Sequence, residues 1–425
     1  MEYKEYELGE LIEYRNEKLL IENVSLENYI STENLLPNRN GKQNAEKLPN
    51  TKSVKKYYEN DILISNIRPY FKKIWQAEIP GGASNDVLIL NSCSNNTTND
   101  YLYYYLSQDK FFDYMTQTAK GTKMPRGDKK AILGYEIKVP NIKHIQNYIV
   151  NLGKNIDKKI ETNKKIIANL EELSQTLFKR WFVDFEFPDE NGNPYKSSGG
   201  EMVDSELGKI PKGWEIVNLN DISLKISKGT TPKKDINTES SSQNIPFLKV
   251  KDLSDFYDIK MENVQYISKN THENLLKRSK LQPQDILLSI AGTIGRIAYV
   301  PTTLKNVNIN QAIGFIRLKN NNYFLYIYNC LKQNDFQNYL TKSVVQAVQA
   351  NISLKVIKEY KVLIPVNNLI NDWDSHIQSL HDKIGIKKNE INQLTQLRDT
   401  LLPKLMSGEI EIPDDIEVNE DELSI

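Results

Sequence analysis

The side chains able to do chemistry in this 425-residue chain are cations and amides grouped on short Gly-, Thr- and Pro-containing stretches. Lys120-Gly-Thr-Lys123-Met-Pro-Arg126-Gly-Asp-Lys-Lys130 sets five bases against one acid around two glycines. Such a tight or mobile segment can bring backbone amides and positive charge to phosphates. Asn66, Arg68, Lys72 and Lys73 follow a short apolar run beginning at Asp61. Further along, Lys225 to Lys234 carries four bases and no acid, including Lys228, Thr230, Thr231 and Lys233, and Lys249, Lys251 and Arg296 add to it. Gln346, Gln349 and Asn351 supply amides. Asn, Gln and Arg pair in bidentate fashion with base edges, so these positions are candidates for sequence reading and the lysines for phosphate contact. Any one of these clusters, taken singly, reads equally well as a solvated surface.

Catalytic constellations are not legible. No Gly-x-x-x-x-Gly-Lys-[Ser/Thr] occurs, because the Gly-Lys pairs at 41, 153 and 208 lack the earlier glycine. The closest approach to an amino-methyltransferase clamp, Asn193-Pro194-Tyr195, has one proline and sits in a turn-rich stretch. His376 and His381 are five apart on a helix and so do not share a face, which excludes a simple metal pair. Glu136-Ile-Lys138 and Glu359-Tyr-Lys361 look like nuclease fragments but occur at random rates in so charged a chain, and fit strand edges better. Cys93 and Cys330 have no companion at ligand spacing and read as buried thiols. No resident metal or cofactor is expected.

Lysine plus arginine balance aspartate plus glutamate at 55 each, yet the charge is unevenly spread. Eight acids and no base lie from Glu409 to the end, leaving residues 1–408 at net +8. The basic part suits a polyanionic partner, and the acidic tail 408–425 is expected to be solvated. With no apolar signal core and no long apolar run, a cytoplasmic protein without a membrane partner is expected.

These side chains are positioned by a repeat. Sliding the chain against itself aligns related segments at an offset of 224 or 225 residues. Asp61-Ile-Leu63 and Ser65 fall on Asp285-Ile-Leu287 and Ser289, Tyr135 and Pro140 on Tyr360 and Pro365, and Leu170, Leu173 and Leu177 on Leu394, Leu397 and Leu401. Offset 225 also sets Asn351 where Arg126 stands, so the framework repeats while the loops differ. Each repeat predicts short strands at 61–64, 86–90, 285–290 and 312–318, with aromatic helices over 101–115 and 323–340. Each closes on a helix with apolar residues stepping by fours and threes: Ile149, Gly153, Ile156, Ile160, Asn163, Ile167, Leu170, Ser174, Leu177, Trp181, and Trp373, Ile377, Leu380, Ile384, Lys387, Ile391, Leu394, Arg398, Leu401, Leu405. The mean step of 3.5 predicts a coiled-coil seam, with Pro188 and Pro403 expected to stop the helices. The expected fold class is α+β, with two globular domains (1–143 and 213–367) in pseudo-twofold arrangement, separated by two long antiparallel coiled-coil helices (144–187 and 368–407) and joined by a linker (188–212).

Over nearly its whole length the chain resembles the specificity subunits of type I restriction-modification systems. ENDILISNIRPYFKKIW, GGASNDVLIL and GTKMPRGDKKAI resemble one class of target-recognition domain; KGTTPKK, IPFLKVKDL, QDILLSIAGTIGR, VNINQAIGFIRL and VQANISLKVIKEYKVLIP resemble another. LEELSQTLFKRWFVDFEFP and LTQLRDTLLPKLMSGEIEI resemble the family's helix ends, and KSSGGEMVDSELGKIPKGWE its linker. Val-Val-Gln-Ala-Val-Gln, containing Gln346 and Gln349, departs from the Gly-Thr-type turn of many relatives. The resemblance implies a non-catalytic subunit whose two domains bind the halves of a bipartite double-stranded DNA target. Two methyltransferase subunits would dock on the helices, which act as a ruler, and restriction/translocase subunits would join them. S-adenosylmethionine and ATP are then expected on the partner subunits. A scaffold bridging proteins without touching DNA, and an enzyme with an unrecognised site, are the alternatives.

Overall fold

A computed structural model describes residues 2–233, 235–236, 244–254, 259–261, 264–345 and 351–413. The chain divides into two compact units, Met1–Ile166 with Ile386–Ile425, and Ile167–Gly385. Each is α+β.

In the first unit a four-stranded antiparallel sheet runs Ile12–Tyr14, Val87–Ser92, Ile62–Ser65, Ile74–Gln76. In the second, the order is Ser223–Lys228, Ile313–Leu318, Ile286–Ser289, Ile297–Tyr299. The topology is the same, strand for strand. Both sheets are covered on two faces, which explains why their strands read as unbroken apolar runs. Ile62, Ile64, Leu88 and Leu90 face the helices, and Leu63, Val87 and Ile89 face a second, smaller sheet. Ile286, Leu288 and Ile316 against Leu287, Ile313 and Phe315 repeat the alternation. A further two-stranded pairing closes each globular region, Tyr3–Glu7 with Glu136–Pro140 and Glu215–Asn218 with Lys361–Ile364.

The Asp-Ile-Leu repeat has a structural cause. Asp61 accepts from the Tyr58 amide (2.8 Å) and from Arg15 Nε (2.6 Å). Asp285 accepts from the Gln282 amide (2.7 Å) and takes both arms of Arg317 at 2.7 Å. Burial pushes both carboxyls above the usual range, and the backbone and arginine donors pull them back.

Each predicted aromatic helix is two helices. Asn99–Leu106 and Asp109–Gln117 break at Gln108, and Phe324–Lys332 and Asn334–Val345 break at Gln333, both glutamines having extended backbone (ψ 152° and 153°). The break lets two short amphipathic faces cover a twisted sheet that one straight helix would leave.

The long helices are Lys143–Phe178, continued by a wider turn Lys179–Val183, and Asn367–Ser407. All the predicted seam residues are buried or half-buried. In the first unit Asp157 meets Arg398 (2.7 Å) and Lys159 meets Glu390 (3.8 Å), so the two helices run antiparallel there. In the second, Phe178 and Trp181 pack on Trp373 with Phe182 and Tyr326. Neither proline stops its helix. Pro403 lies inside the second, whose last turn is held by buried Leu402, Leu405 and Met406 before Gly408 turns the chain at φ 77°. The first ends before Phe185 (φ 62°), short of Pro188. The turn-rich stretch after it is ordered, Phe187 stacking on Tyr195 (4.6 Å) and Trp214 (5.5 Å) beside the hairpin Met202–Ser205 and Gly208–Pro211. Cys330 is partly buried, its thiol pushed up to about 12 by burial, whereas Cys93 is exposed, contrary to expectation, because it lies just past the end of its strand.

Candidate nucleic-acid interface

In the first unit, the hairpin between Ile62–Ser65 and Ile74–Gln76 carries Asn66, Arg68, Lys72 and Lys73. The loop 118–128, between the second aromatic helix and the short helix Lys129–Leu133, carries Lys120, Lys123 and Arg126. The two are sewn together. The Gly127 amide donates to the Asn66 carbonyl (3.0 Å), the Arg68 amide to the Pro125 carbonyl (2.8 Å), and Ile67 bridges Arg126. Lys120 and Arg126 exchange both backbone hydrogen bonds (2.8 and 2.9 Å), closing the loop around Gly121 at φ 92°. Gly127 packs closely there: an added Cβ would lie 2.7 Å from Asn66 Oδ1 and 3.0 Å from Met115 Cε, so those side chains would have to shift. Arg68 and Lys72 both hold φ 51°, a left-handed backbone that side-chain-bearing residues rarely adopt.

The side chains divide. Arg68, Lys123 and Arg126 are exposed, and Arg126 Nη2 lies 3.3 Å from Asp86 Oδ1. Lys120 is exposed but paired with Asp128 (2.5 Å), which holds that carboxyl below its usual value. Lys72 is bound to Asp109 (2.7 Å) and Lys73 donates to the Thr32 carbonyl (2.5 Å). Both amines are half-buried, and burial lowers their pKa.

The second unit builds the same edge from other residues. The Ile352 amide donates to the Ile290 carbonyl (2.8 Å) and Ala291 bridges Asn351, the positions of Gly127–Asn66 and Ile67–Arg126. Lys228, at the end of its strand, pairs with Gly314, and Gly229 follows where a Cβ would strike the Ile309 carbonyl at 1.9 Å. Thr230 and Lys233 are exposed, and the Thr231 hydroxyl bonds Gln311. The Asn310 amide donates to the Leu248 carbonyl (3.0 Å), which brings Lys249 and Lys251 alongside. Lys251 is exposed and lies 3.9 Å from Asp252. Arg296 is turned inward, Nη1 donating to the carbonyls of Val250 (3.3 Å) and Leu253 (3.1 Å). Lys225 likewise serves the Arg278 carbonyl (2.6 Å). Lys234, Gln346 and Gln349 lie outside the described residues.

Two participants escaped the sequence reading, Asp86 and Gln311. Each follows an asparagine, Asn85 and Asn310, just before a repeated strand, and that adjacency was the available signal. The strand register sets Val87 level with Ile313, so Asp86 matches Ala312 and Asn85 matches Gln311.

No helix is long and apolar enough to cross a membrane among the described residues. A family model for the type I restriction modification DNA specificity domain matches residues 1–172 and again 211–396. The specificity subunit of the type I restriction enzyme HindI from Haemophilus influenzae is 24% identical over 96% of this chain and 100% of its own length. That of MjaIX from Methanocaldococcus jannaschii is 29% identical over 74% of this chain and 69% of its own. The crystal structure of a type I restriction-modification S subunit from M. genitalium aligns over 97% of each chain at TM-score 0.53 and 16% identity. Two matched domains of one kind, on a fold shared with a solved S subunit, show that this chain belongs to the specificity subunits of type I restriction-modification systems.

Proposed function

We propose that each unit binds one half of a bipartite, asymmetric double-stranded DNA target, and that the chain performs no catalysis itself. Two DNA methyltransferase subunits dock on its paired helices and methylate adenine at N6, bringing S-adenosylmethionine. Restriction/translocase subunits join them and bring ATP. The observation that carries this reading is the recurrence, at one fold position in both units, of a hairpin sewn to a loop, with unlike polar side chains on equal frameworks. Arg68, Lys120, Lys123, Lys228, Lys233, Lys249 and Lys251 supply phosphate contacts in this account, while Lys72, Lys73 and Arg296 stiffen the loops that carry them.

Binding of the assembled methyltransferase complex to duplex oligonucleotides, followed from low to high salt, tests it. Each neutralised phosphate releases counterions, so the logarithm of affinity should fall linearly with that of salt, several contacts giving a loss of about a thousandfold between 50 and 200 mM. Salt-independent assembly, with no duplex bound, would leave the protein-bridging scaffold as the answer.

A further inference from the structure

The two sewn edges differ at one matched position in a way that assigns chemistry to it. Arg126 and Asn351 occupy equivalent places, each bridged to the residue after the hairpin's first turn position, Ile67 and Ala291. In each case the next amide is tied back to the same hairpin, Gly127 to Asn66 and Ile352 to Ile290. Discriminating among base pairs requires a side chain whose backbone is fixed to within a fraction of an ångström, and these are the loop residues so fixed on both units. Both are exposed.

Their surroundings differ as their side chains do. Asp86 Oδ1 lies 3.3 Å from Arg126 Nη2, a contact that holds one end of the guanidinium and leaves the other donors of its fork for a ligand. Asp86 is identified with Ala312 in the second unit, since the Asn66 amide bonds the Asp86 carbonyl and the Ile290 amide bonds that of Ala312, both at 2.8 Å. A neutral amide at 351 thus has no carboxylate facing it from that position, and a cation at 126 does.

We propose that Arg126 reads a guanine in one half-site and Asn351 an adenine in the other, with Asp86 positioning the Arg126 fork. Two parallel N–H donors match guanine O6 and N7, and an amide offering one donor and one acceptor matches adenine N6 and N7. The proposal rests on the DNA-reading function above and adds which residue carries which base.

The test is the motif itself, read by mapping N6-methyladenine in cells expressing the full complex, together with binding of the purified complex to cognate and altered duplexes. Arg126→Ala should make one guanine position of one half-site degenerate and weaken cognate binding about tenfold to a hundredfold, leaving the other half-site and the salt slope unchanged. Asn351→Ala should do the same at an adenine in the opposite half. Asp86→Asn, a near-isosteric change that spares the fold, should blur the same guanine position as Arg126→Ala while leaving binding to unrelated duplexes intact. An unchanged motif in Arg126→Ala, or equal weakening on every sequence with a shallower salt slope, would overturn the assignment. If the unaltered complex shows no bipartite motif, the DNA-reading function fails first; a bipartite motif indifferent to these substitutions sinks only this inference.

Discussion

At the scale of single residues, burial decides which charges are available and which are spent on the fold. Asp374, on the C-terminal long helix, has a buried oxygen without a hydrogen-bond partner, and burial pushes its carboxyl from 3.8 up to about 6. A folded-state pKa raised in this way binds its proton more tightly than the unfolded chain does. The cost of the charge is therefore absent below about pH 4 and grows until the pH passes about 6. Asp374→Asn should raise stability by about 1 kcal/mol at pH 8, allowing for partial exposure, and by little at pH 4. Unfolding midpoints at the two pH values check this, and an equal gain at both would contradict it. The same logic bounds what the sequence could tell. Arg126 was legible in the composition of its basic loop, and Asn351 in the offset that sets it where Arg126 stands, because the framework around them repeats. Lys72, Lys73, Lys225 and Arg296 have the composition of contact residues, yet each serves its own chain's carboxylate or carbonyl, and local composition does not distinguish a cation facing solvent from one closing a turn. Asp86 was hidden for the converse reason: it matters only because a loop 40 residues later folds back to it.

At the scale of elements, periodicity was the most readable signal and local punctuation the least. The seam holds over both long helices, including its odd members. Gly153 is there because Tyr104 needs the space: a Cβ at 153 would lie 2.7 Å from the ring carbon that bears the hydroxyl, and that hydroxyl donates to Asp157 at 2.9 Å. Asp157 in turn binds Arg398, one of the seam's polar entries in this unit. Gly153→Ala would gain about 1 kcal/mol in helix propensity and lose about 1–3 kcal/mol by overpacking and by displacing that network. Net destabilisation, seen as a lower thermal midpoint, is expected; a higher midpoint would show that the ring has room to move. Proline misled because its cost is paid locally while its compensation is tertiary: the missing amide at Pro403 costs about 3 kcal/mol, which burial of Leu402, Leu405 and Met406 offsets. Gln108 and Gln333 broke helices that composition joined, since neither residue is a breaker and only the paired topology shows why a bend is required.

At the scale of the molecule, the repeat makes the architecture legible in the sequence. Both units carry the same four-stranded order, the same pair of short helices and the same closing strand pair, and each long helix contributes to both units. Such duplication with divergent loops is what the proposed reading of two unlike DNA half-sites requires. Comparison of N6-methyladenine maps from cells with and without this gene tests that account most directly. Two short specified blocks, separated by an unspecified run and centred about one helical turn apart, roughly 34 Å, should lose methylation when the gene is removed. A single uninterrupted motif, or a map unchanged by the deletion, would contradict it.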